Sequence, residues 1–106
     1  VYPAQRYFEA DSLDKALYGD GNSLGFVDIS ITYSMTKAGN LANYYAGICF
    51  LKKGDYAQAI SYLNAFDADD EIVAPMAKGA LGDAYLEKGD KEKAVSAYRT
   101  AAALKD

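Results

Sequence analysis

Two stretches of the chain repeat one pattern at a fixed offset of 35 residues, and this repeat limits the possible folds more than any other feature. Residues 47–66 read GICFLKKGDYAQAISYLNAF, and residues 82–101 read GDAYLEKGDKEKAVSAYRTA. Four small or turn-forming residues recur at this offset: Gly47 as Gly82, Gly54 as Gly89, Asp55 as Asp90 and Ala59 as Ala94. A fixed period of this length is typical of stacked helical hairpins, in which each unit buries its apolar face against its neighbours.

The centre of each copy predicts a helix, a tight turn and a second helix. In Lys53-Gly54-Asp55 the glycine can adopt the left-handed conformation that ends a helix. The aspartate can cap the next helix by accepting a hydrogen bond from a free backbone N–H. Lys88-Gly89-Asp90 repeats this turn. We therefore expect helices over residues 37–52, 56–66, 75–87 and 91–104, the third beginning near Ala74 or Pro75 because proline suits a first helical turn.

The first third of the chain carries a less regular unit. Residues 3–18 have apolar side chains at three- and four-residue spacings, which predicts a helix, and Gly19-Asp20-Gly21-Asn22 predicts a turn. A second helix is expected over residues 23–33, with a strand as the alternative because part of this segment alternates between apolar and polar side chains. Gly25 lies 34 residues before Ala59, so we expect it at the same early position of a second helix.

The two clear copies resemble tetratricopeptide repeats. That family places a small residue in the first helix, an aromatic residue three positions later, and a small, a large apolar and another small residue along the second helix. These places are filled by Gly47, Phe50, Ala59, Leu63 and Phe66, and then by Gly82, Tyr85, Ala94, Tyr98 and Ala101. The resemblance has departures: Phe66 is larger than the family norm, Asn43 and Lys78 replace an aromatic residue, and the closing proline is missing.

The repeat and the resemblance together predict an all-α, right-handed α–α solenoid of about three helical hairpins, or six helices. The hairpins are expected at residues 1–36, 37–70 and 71–106 of a single domain, with the first one degenerate. An atypical terminal unit is expected in a solenoid because it has only one neighbour. The chain begins with Val1 rather than Met, so we expect it to be a piece of a longer protein.

A narrower resemblance concerns residues 25–56. This segment is similar to bacterial cell-envelope tetratricopeptide proteins, including YfgM-like membrane-anchored proteins and Tol-Pal-type and outer-membrane-assembly scaffolds; the positions that carry the similarity are Phe26, Ile29, Tyr33, Ser34, Ala38 and Tyr45. The resemblance implies a periplasm-facing location, with a membrane anchor outside this fragment. The cytoplasm is the alternative location.

Composition argues against several classes of function. The formal net charge is −4, whereas a protein that binds nucleic acid normally presents a basic face. There is no histidine, and the single Cys49 has no partner for an intramolecular disulfide or a cysteine-based zinc site. We expect Cys49 to be a buried, inert thiol. No nucleophile–base pair is visible, so the chain is not expected to be an enzyme or to hold a cofactor or a metal.

The densest group of carboxylates also has a structural explanation. Asp67, Asp69, Asp70 and Glu71 precede a predicted helix. They lack the glycine and the distal glutamate of a calcium loop, whereas carboxylates suit the positive end of a helix dipole. A capping or solvated role is therefore expected.

The resemblance to tetratricopeptide repeats implies a groove along the first helices of the hairpins. The positions that would line it are Leu41, Tyr44, Ile48, Leu51 and Lys52 in one repeat and Met76, Gly79, Asp83, Leu86 and Glu87 in the next. The polar clamp with which some family members hold a terminal carboxylate is not present, because Tyr44, Tyr45 and Ile48 stand at such positions. The alternative is that these side chains are buried under the first unit.

The function expected from these features is that of a non-catalytic protein-interaction scaffold with a protein or peptide partner. The alternative is an architectural segment that packs against further repeats of its own chain or a second copy. The last predicted helix carries an apolar stripe of Val95, Tyr98, Ala102 and Leu104, part of which has no evident partner in a monomer. We therefore expect a weak homodimer.

Overall fold

The computed structural model describes residues 12–20, 24–67 and 73–105, and every regular element within those ranges is a helix. Residues 12–18 are helical and form α1. The following helices are α2 (Phe26–Thr32), α3 (Lys37–Lys53), α4 (Tyr56–Ala65), α5 (Ala74–Lys88) and α6 (Lys91–Lys105). The predicted all-α architecture is confirmed, and the strand alternative for α2 is wrong. The earlier part of the first predicted helix, residues 3–11, lies outside the described residues.

The two hairpin turns have the predicted geometry. Gly54 and Gly89 are left-handed, with φ of 84° and 90°. After the first turn, the Asp55 carboxylate accepts a hydrogen bond from the backbone N–H of Gln58 at 3.3 Å. After the second, Asp90 accepts from the N–H of Lys93 at 3.2 Å. Each turn therefore satisfies a free donor at the start of the next helix, as the repeated Gly-Asp pair requires.

The helices stack in chain order. From α2 onward each helix packs against the next, and α3 also contacts α5. One core cluster joins α3, α4, α5 and α6 through Tyr44, Leu63, Phe66, Ala77, Ala80, Leu81 and Ala97. A second cluster joins α1 to α3, α4 and α5 through Leu17, Ala46, Cys49, Phe50, Ala59 and Ala84. The hairpins thus share one continuous stack, which is the packing expected of a helical-repeat protein.

Small residues allow the helices of each hairpin to approach closely. A Cβ atom added to Gly47 would lie 2.6 Å from Cγ of Leu63, and one added to Gly82 would lie 2.6 Å from the ring of Tyr98. Both distances are shorter than any normal carbon–carbon contact. Gly47 and Gly82 are therefore needed because a side chain at either position would clash with the large residue of the second helix.

Gly25 does not hold the position that the offset predicted. It is the N-cap of α2 and precedes the helix, whereas Ala59 lies within α4. Its role is close approach to the end of α1, because a Cβ atom at Gly25 would lie 2.2 Å from the backbone oxygen of Leu17. The second helix accordingly begins at Phe26 rather than at residue 23. Ser30 is the buried residue of this short helix.

The last helix buries small residues and exposes most of its larger apolar ones. The face of α6 that is buried consists of Ala94, Ala97 and Ala101. Val95, Tyr98 and Leu104, three residues of the apolar stripe predicted on this helix, are exposed. Alanine allows α6 to lie close to α5, and the Tyr98 ring rests beside Gly82 of α5 with part of its surface exposed.

The link after α4 is held by a side chain of α3. Asn40 accepts a hydrogen bond from the backbone N–H of Asp67 at 2.6 Å, and its amide donates to the Asp67 carbonyl at 3.1 Å. Residues 68–72, which include the remaining carboxylates of the acidic run, lie outside the described residues.

Candidate functional site

A groove of about 640 Å³ runs along α3 and α5 and extends to α6. Seven of the residues predicted for the groove line it together: Tyr44, Ile48, Leu51, Lys52, Met76, Gly79 and Asp83. They come together because α5 packs beside α3, so corresponding turns of the two repeats face the same side. The remaining lining residues include Pro75 and Ala80 of α5 and three residues of α6.

Three predicted groove residues do not line this cavity. Leu41 is half-buried and packs against the core cluster that α3 shares with α4 and α5. Leu86 and Glu87 are exposed near the end of α5. Leu86 is 49% exposed and is not among the residues that line the groove.

Tyr44 belongs to the core as well as to the groove. Its ring centroid lies 5.9 Å from that of Phe66 and 5.2 Å from that of Tyr45. Burial is the main cause that raises the pKa of the Tyr44 phenol, and the neighbouring Tyr45 raises it further. Tyr44 therefore forms a fixed wall of the groove and presents only a small part of its surface.

The sequence did not predict that residues of α6 line the groove. They are Tyr98, Ala101 and Ala102. The repeat carried a signal for one of them, because Leu63 and Tyr98 are equivalent positions and each rests on the glycine of its own hairpin. The larger tyrosine reaches beyond the hairpin to the edge of the groove, whereas Leu63 is enclosed.

A hydrogen bond fixes Tyr98 at the edge of the groove. The Tyr98 hydroxyl donates to the Asp83 carboxylate. This bond is the main cause that raises the pKa of Tyr98 to about 12, with further contributions from burial and from the negative charges of Asp83 and Glu87. The phenol is therefore a protonated donor at neutral pH, which is a positioning role rather than that of a base.

The pH dependence of this bond can be predicted. The folded protein holds the phenolic proton more tightly than the unfolded chain, in which a tyrosine pKa is about 10. The stability that the bond provides should be complete below pH 10 and lost as the pH rises through about 12. NMR titration of ¹³C-labelled tyrosine rings should show a pKa of about 12 for Tyr98. In Asp83→Asn its pKa should fall towards the ordinary value, and an unchanged titration would contradict the assignment.

The groove has few charged groups. Lys52 is the one cation and Asp83 the one carboxylate among its described lining residues. Ile48 and Leu51 supply a half-buried apolar wall, and Met76 is 57% exposed beside them. Such a surface suits apolar side chains of a partner, with polar contacts at its edges.

A second cavity, of about 740 Å³, surrounds the turn between α5 and α6. It is lined mainly by the consecutive residues 88–93, with Ile60 and Tyr85 at its base. The Lys93 ammonium lies 5.7 Å from the centre of the Tyr85 ring, a cation–π contact that holds this side chain over the cleft. The cleft contains none of the predicted groove residues.

The described residues contain no cluster of side chains suited to binding a metal ion. No group of three or more His, Cys, Asp or Glu residues there could hold a metal ion. In the same ranges, no helix has the length and apolar character needed to cross a bilayer.

The only cysteine is a buried free thiol. Burial is the main cause that raises its pKa, and the charges of Lys52 and Lys53 oppose this effect. A raised pKa and burial both reduce the reactivity of a thiol. We expect a thiol reagent to label Cys49 slowly in the native protein and quickly in denaturant. Equal rates in the two conditions would show that the thiol is accessible and overturn this prediction.

Comparison with known families identifies the two hairpins. One family model described as tetratricopeptide repeat matches residues 41–69, and another with the same description matches residues 77–106. Together the matches span more than half of the chain and coincide with α3–α4 and α5–α6. No curated protein and no solved structure matches the chain significantly.

Proposed function

The chain is a tetratricopeptide-repeat protein over residues 41–69 and 77–106, and on that premise we propose that it is a non-catalytic scaffold whose groove binds a segment of a partner protein. Tetratricopeptide repeats generally mediate protein–protein interactions. The observation that carries the proposal is the convergence of seven residues from α3 and α5 on one groove. Residues that are distant in sequence form one continuous surface there.

The composition of the groove favours a partner segment with apolar side chains. Ile48, Leu51 and Met76 offer apolar surface, and Tyr44 provides a rigid wall. An amphipathic helix binds such a groove through apolar residues spaced three or four positions apart. Lys52 and Asp83 can then bind polar groups of that segment at the groove edges.

The proposed groove can be tested at Met76, an exposed apolar residue that lines it. A photo-crosslinking amino acid at Met76 should capture the partner in cells, and the same amino acid at Ser61, an exposed position of α4 outside the groove, is the control. The captured protein is identified by mass spectrometry and purified. Calorimetry should then show that Met76→Asp weakens its binding by about tenfold or more, whereas Ser61→Asp leaves it unchanged.

The proposal would be contradicted by a purified partner that binds the Met76→Asp variant as tightly as the original chain. It would also be contradicted by crosslinking that is as efficient from Ser61 as from Met76.

An architectural role is the second candidate, and one observation favours it. Leu41 and Tyr44, which the family resemblance placed in the groove, pack into the core between the hairpins. A segment whose predicted binding residues are buried between its hairpins can act as a structural unit that packs against further repeats or a second copy. The crosslinking experiment distinguishes the two functions, because an architectural segment would yield only products from its own chain.

The setting that we propose is an assembly of the bacterial cell envelope. The support is the similarity of residues 25–56 to envelope tetratricopeptide proteins. This similarity implies a periplasm-facing location with a membrane anchor. Fractionation of cells that produce the native protein, followed by protease treatment of spheroplasts, would test this location. Protection from protease until the inner membrane is opened would indicate the cytoplasm instead.

A further inference from the structure

A channel lined by lysines lies on a different face of α5 from the groove. It consists of two adjoining cavities, of about 740 and 220 Å³, and both are lined by Tyr85 and Lys93. We call it the lysine channel; its charged lining residues are Lys78, Lys88, Lys91, Lys93, Asp90 and Glu92. Ile60 of α4 lines it as well, so described helices bound it on both sides. The channel and the groove have no lining residue in common.

One face of α5 runs along the channel. Lys78, Leu81, Tyr85 and Lys88 follow one another at spacings of three and four residues and all line it. From Lys78 to Lys88 the helix rises about 15 Å. An extended peptide advances about 3.3 Å per residue, so a segment of about five residues would span this length.

Positive charge predominates in the channel, although the whole chain has a net charge of −4. Four of the 11 Lys and Arg residues line it, against two carboxylates. Lys78, Lys88 and Lys91 make no salt bridge with another described residue. The Asp90 carboxylate is already used, because it accepts a hydrogen bond from the backbone N–H of Lys93 and lies 3.9 Å from the Lys93 ammonium. Salt screens exposed charges beyond about 8 Å, so this local excess of lysines decides which ligands the channel attracts.

The preceding repeat lacks this charge. One period earlier, uncharged residues hold the positions of three of the lysines: Asn43, Tyr56 and Gln58 in place of Lys78, Lys91 and Lys93. The two repeats share their turns and their buried small residues, so the helical packing does not require lysine at these positions.

The aromatic residue in the channel is also covered differently in the two repeats. In the preceding repeat the ring of Tyr62 stacks on Phe50, with centroids 5.4 Å apart. The equivalent residues are Ala97 and Tyr85, and alanine has no ring that could cover Tyr85. The Lys93 ammonium instead lies 5.7 Å from the centre of the Tyr85 ring. A cation therefore stands where the two cavities meet.

A lysine equivalent to Lys88 binds a carboxylate elsewhere in the chain. Lys53 holds that position in the preceding repeat, and its ammonium forms a salt bridge with Asp14 of α1. No described carboxylate forms such a salt bridge with Lys88. The Tyr85 hydroxyl accepts a hydrogen bond from Asn64 at 3.3 Å, so its own proton can be donated to a ligand. The channel thus offers ammonium groups and a phenolic donor to carboxylates of another molecule.

We propose that the lysine channel binds an extended acidic segment of a partner protein, about five residues long and rich in Glu or Asp. Carboxylates of the segment pair with Lys78 at one end of the channel, with Lys93 where the cavities meet, and with Lys88 at the other end. A continuous phosphate backbone fits less well, because Asp90 and Glu92 lie among the lysines.

Fluorescence anisotropy of a labelled octaglutamate peptide tests the channel. The peptide should bind saturably at low salt, and binding should weaken as salt is added because the charges become screened. The double variant Lys78→Asn with Lys93→Gln should raise the dissociation constant by about fivefold or more. Both replacements are compatible with the fold, since Asn43 and Gln58 hold the equivalent positions of the preceding repeat.

The matched control removes the same charge elsewhere. Lys37→Gln with Arg99→Gln also removes two cations, and both residues are exposed and lie outside the channel. This control should keep the dissociation constant within about twofold of the original value. Circular dichroism should show the same helix content in both double variants.

NMR of the ¹⁵N-labelled protein locates the bound peptide. Changes in amide chemical shift on addition of octaglutamate should be largest at residues 78–81, 85 and 88–93, which include the lining of the channel. The groove residues Ile48 and Met76 should keep their shifts.

Four results would overturn the proposal. They are the absence of octaglutamate binding at low salt, equal weakening by the two double variants, shift changes centred on the groove, and tighter binding of an octathymidylate oligonucleotide than of octaglutamate. The last result would indicate a nucleic acid as the occupant. The crosslinking test at Met76 is independent of these outcomes, because Met76 does not line the channel.

Discussion

Replacing Leu63 with alanine should lower the free energy of unfolding by about 2–5 kcal/mol. Leu63 is only 2% exposed and is one of the two largest fully buried side chains among the described residues. It rests directly on Gly47, which has no side chain that could fill the space left by its removal. The variant therefore loses the transfer free energy of the removed atoms and gains a cavity as well.

Chemical denaturation followed by circular dichroism measures this loss. Leu104→Ala is the matched control because Leu104 lies in α6 and is largely exposed. The control should change the free energy of unfolding by about 0.5 kcal/mol or less. Similar losses in the two variants would mean that Leu63 does not anchor α4 on α3.

The elements predicted correctly from sequence are those that depend on local chemistry. The left-handed glycines and the capping aspartates of both turns were recognised because each needs only the geometry of a helix end. The start of α5 at Ala74 was also recognised, since Pro75 is compatible with a first turn. A repeat strengthens such predictions because two copies have to satisfy the same geometry.

The first hairpin could not be predicted as well because its helices do not keep the spacing of the later repeats. The offset from Ala59 predicted that Gly25 lies early in a second helix, whereas Gly25 is the N-cap of α2 and lies close to the end of α1. Whether a small residue falls inside a helix or at its N-cap depends on where the helix starts. That start is set by tertiary contacts and not by the offset.

Of the residues that the family resemblance predicted for the groove, only those that the packing of α3 beside α5 leaves on the groove side line it. Ile48, Leu51 and Met76 line it because they lie on the exposed side of the first helices of two stacked hairpins. Glu87 is on the same helix as Met76 but lies three turns away, beyond the end of the cavity. Tyr98 of α6 was not predicted to line the groove. Its position at the groove edge depends on the hydrogen bond to Asp83, and the spacing of residues in the sequence does not indicate such a bond.

Replacing Ala59 with leucine should cost roughly 1–3 kcal/mol of stability, because this residue is fully buried where α4 packs against α3. Ala59 is fully buried in the cluster that joins α1 to α3 and α4. A Cβ atom at Gly47 would lie 3.4 Å from the backbone oxygen of Ala59, so there is little free space between α3 and α4 at this point. Three additional carbon atoms fit there only if α3 and α4 separate.

The matched control for this overpacking is Ala57→Leu, two residues earlier in the same helix, where the side chain is exposed. Alanine and leucine both favour helix, so the control should stay within about 0.5 kcal/mol of the original chain. Thermal unfolding monitored by circular dichroism compares the two variants directly. An unchanged melting temperature for Ala59→Leu would show that α3 and α4 are not in close contact at this position. The pairing of Gly47 with Ala59 would then have no structural role, although it recurs one period later as Gly82 with Ala94.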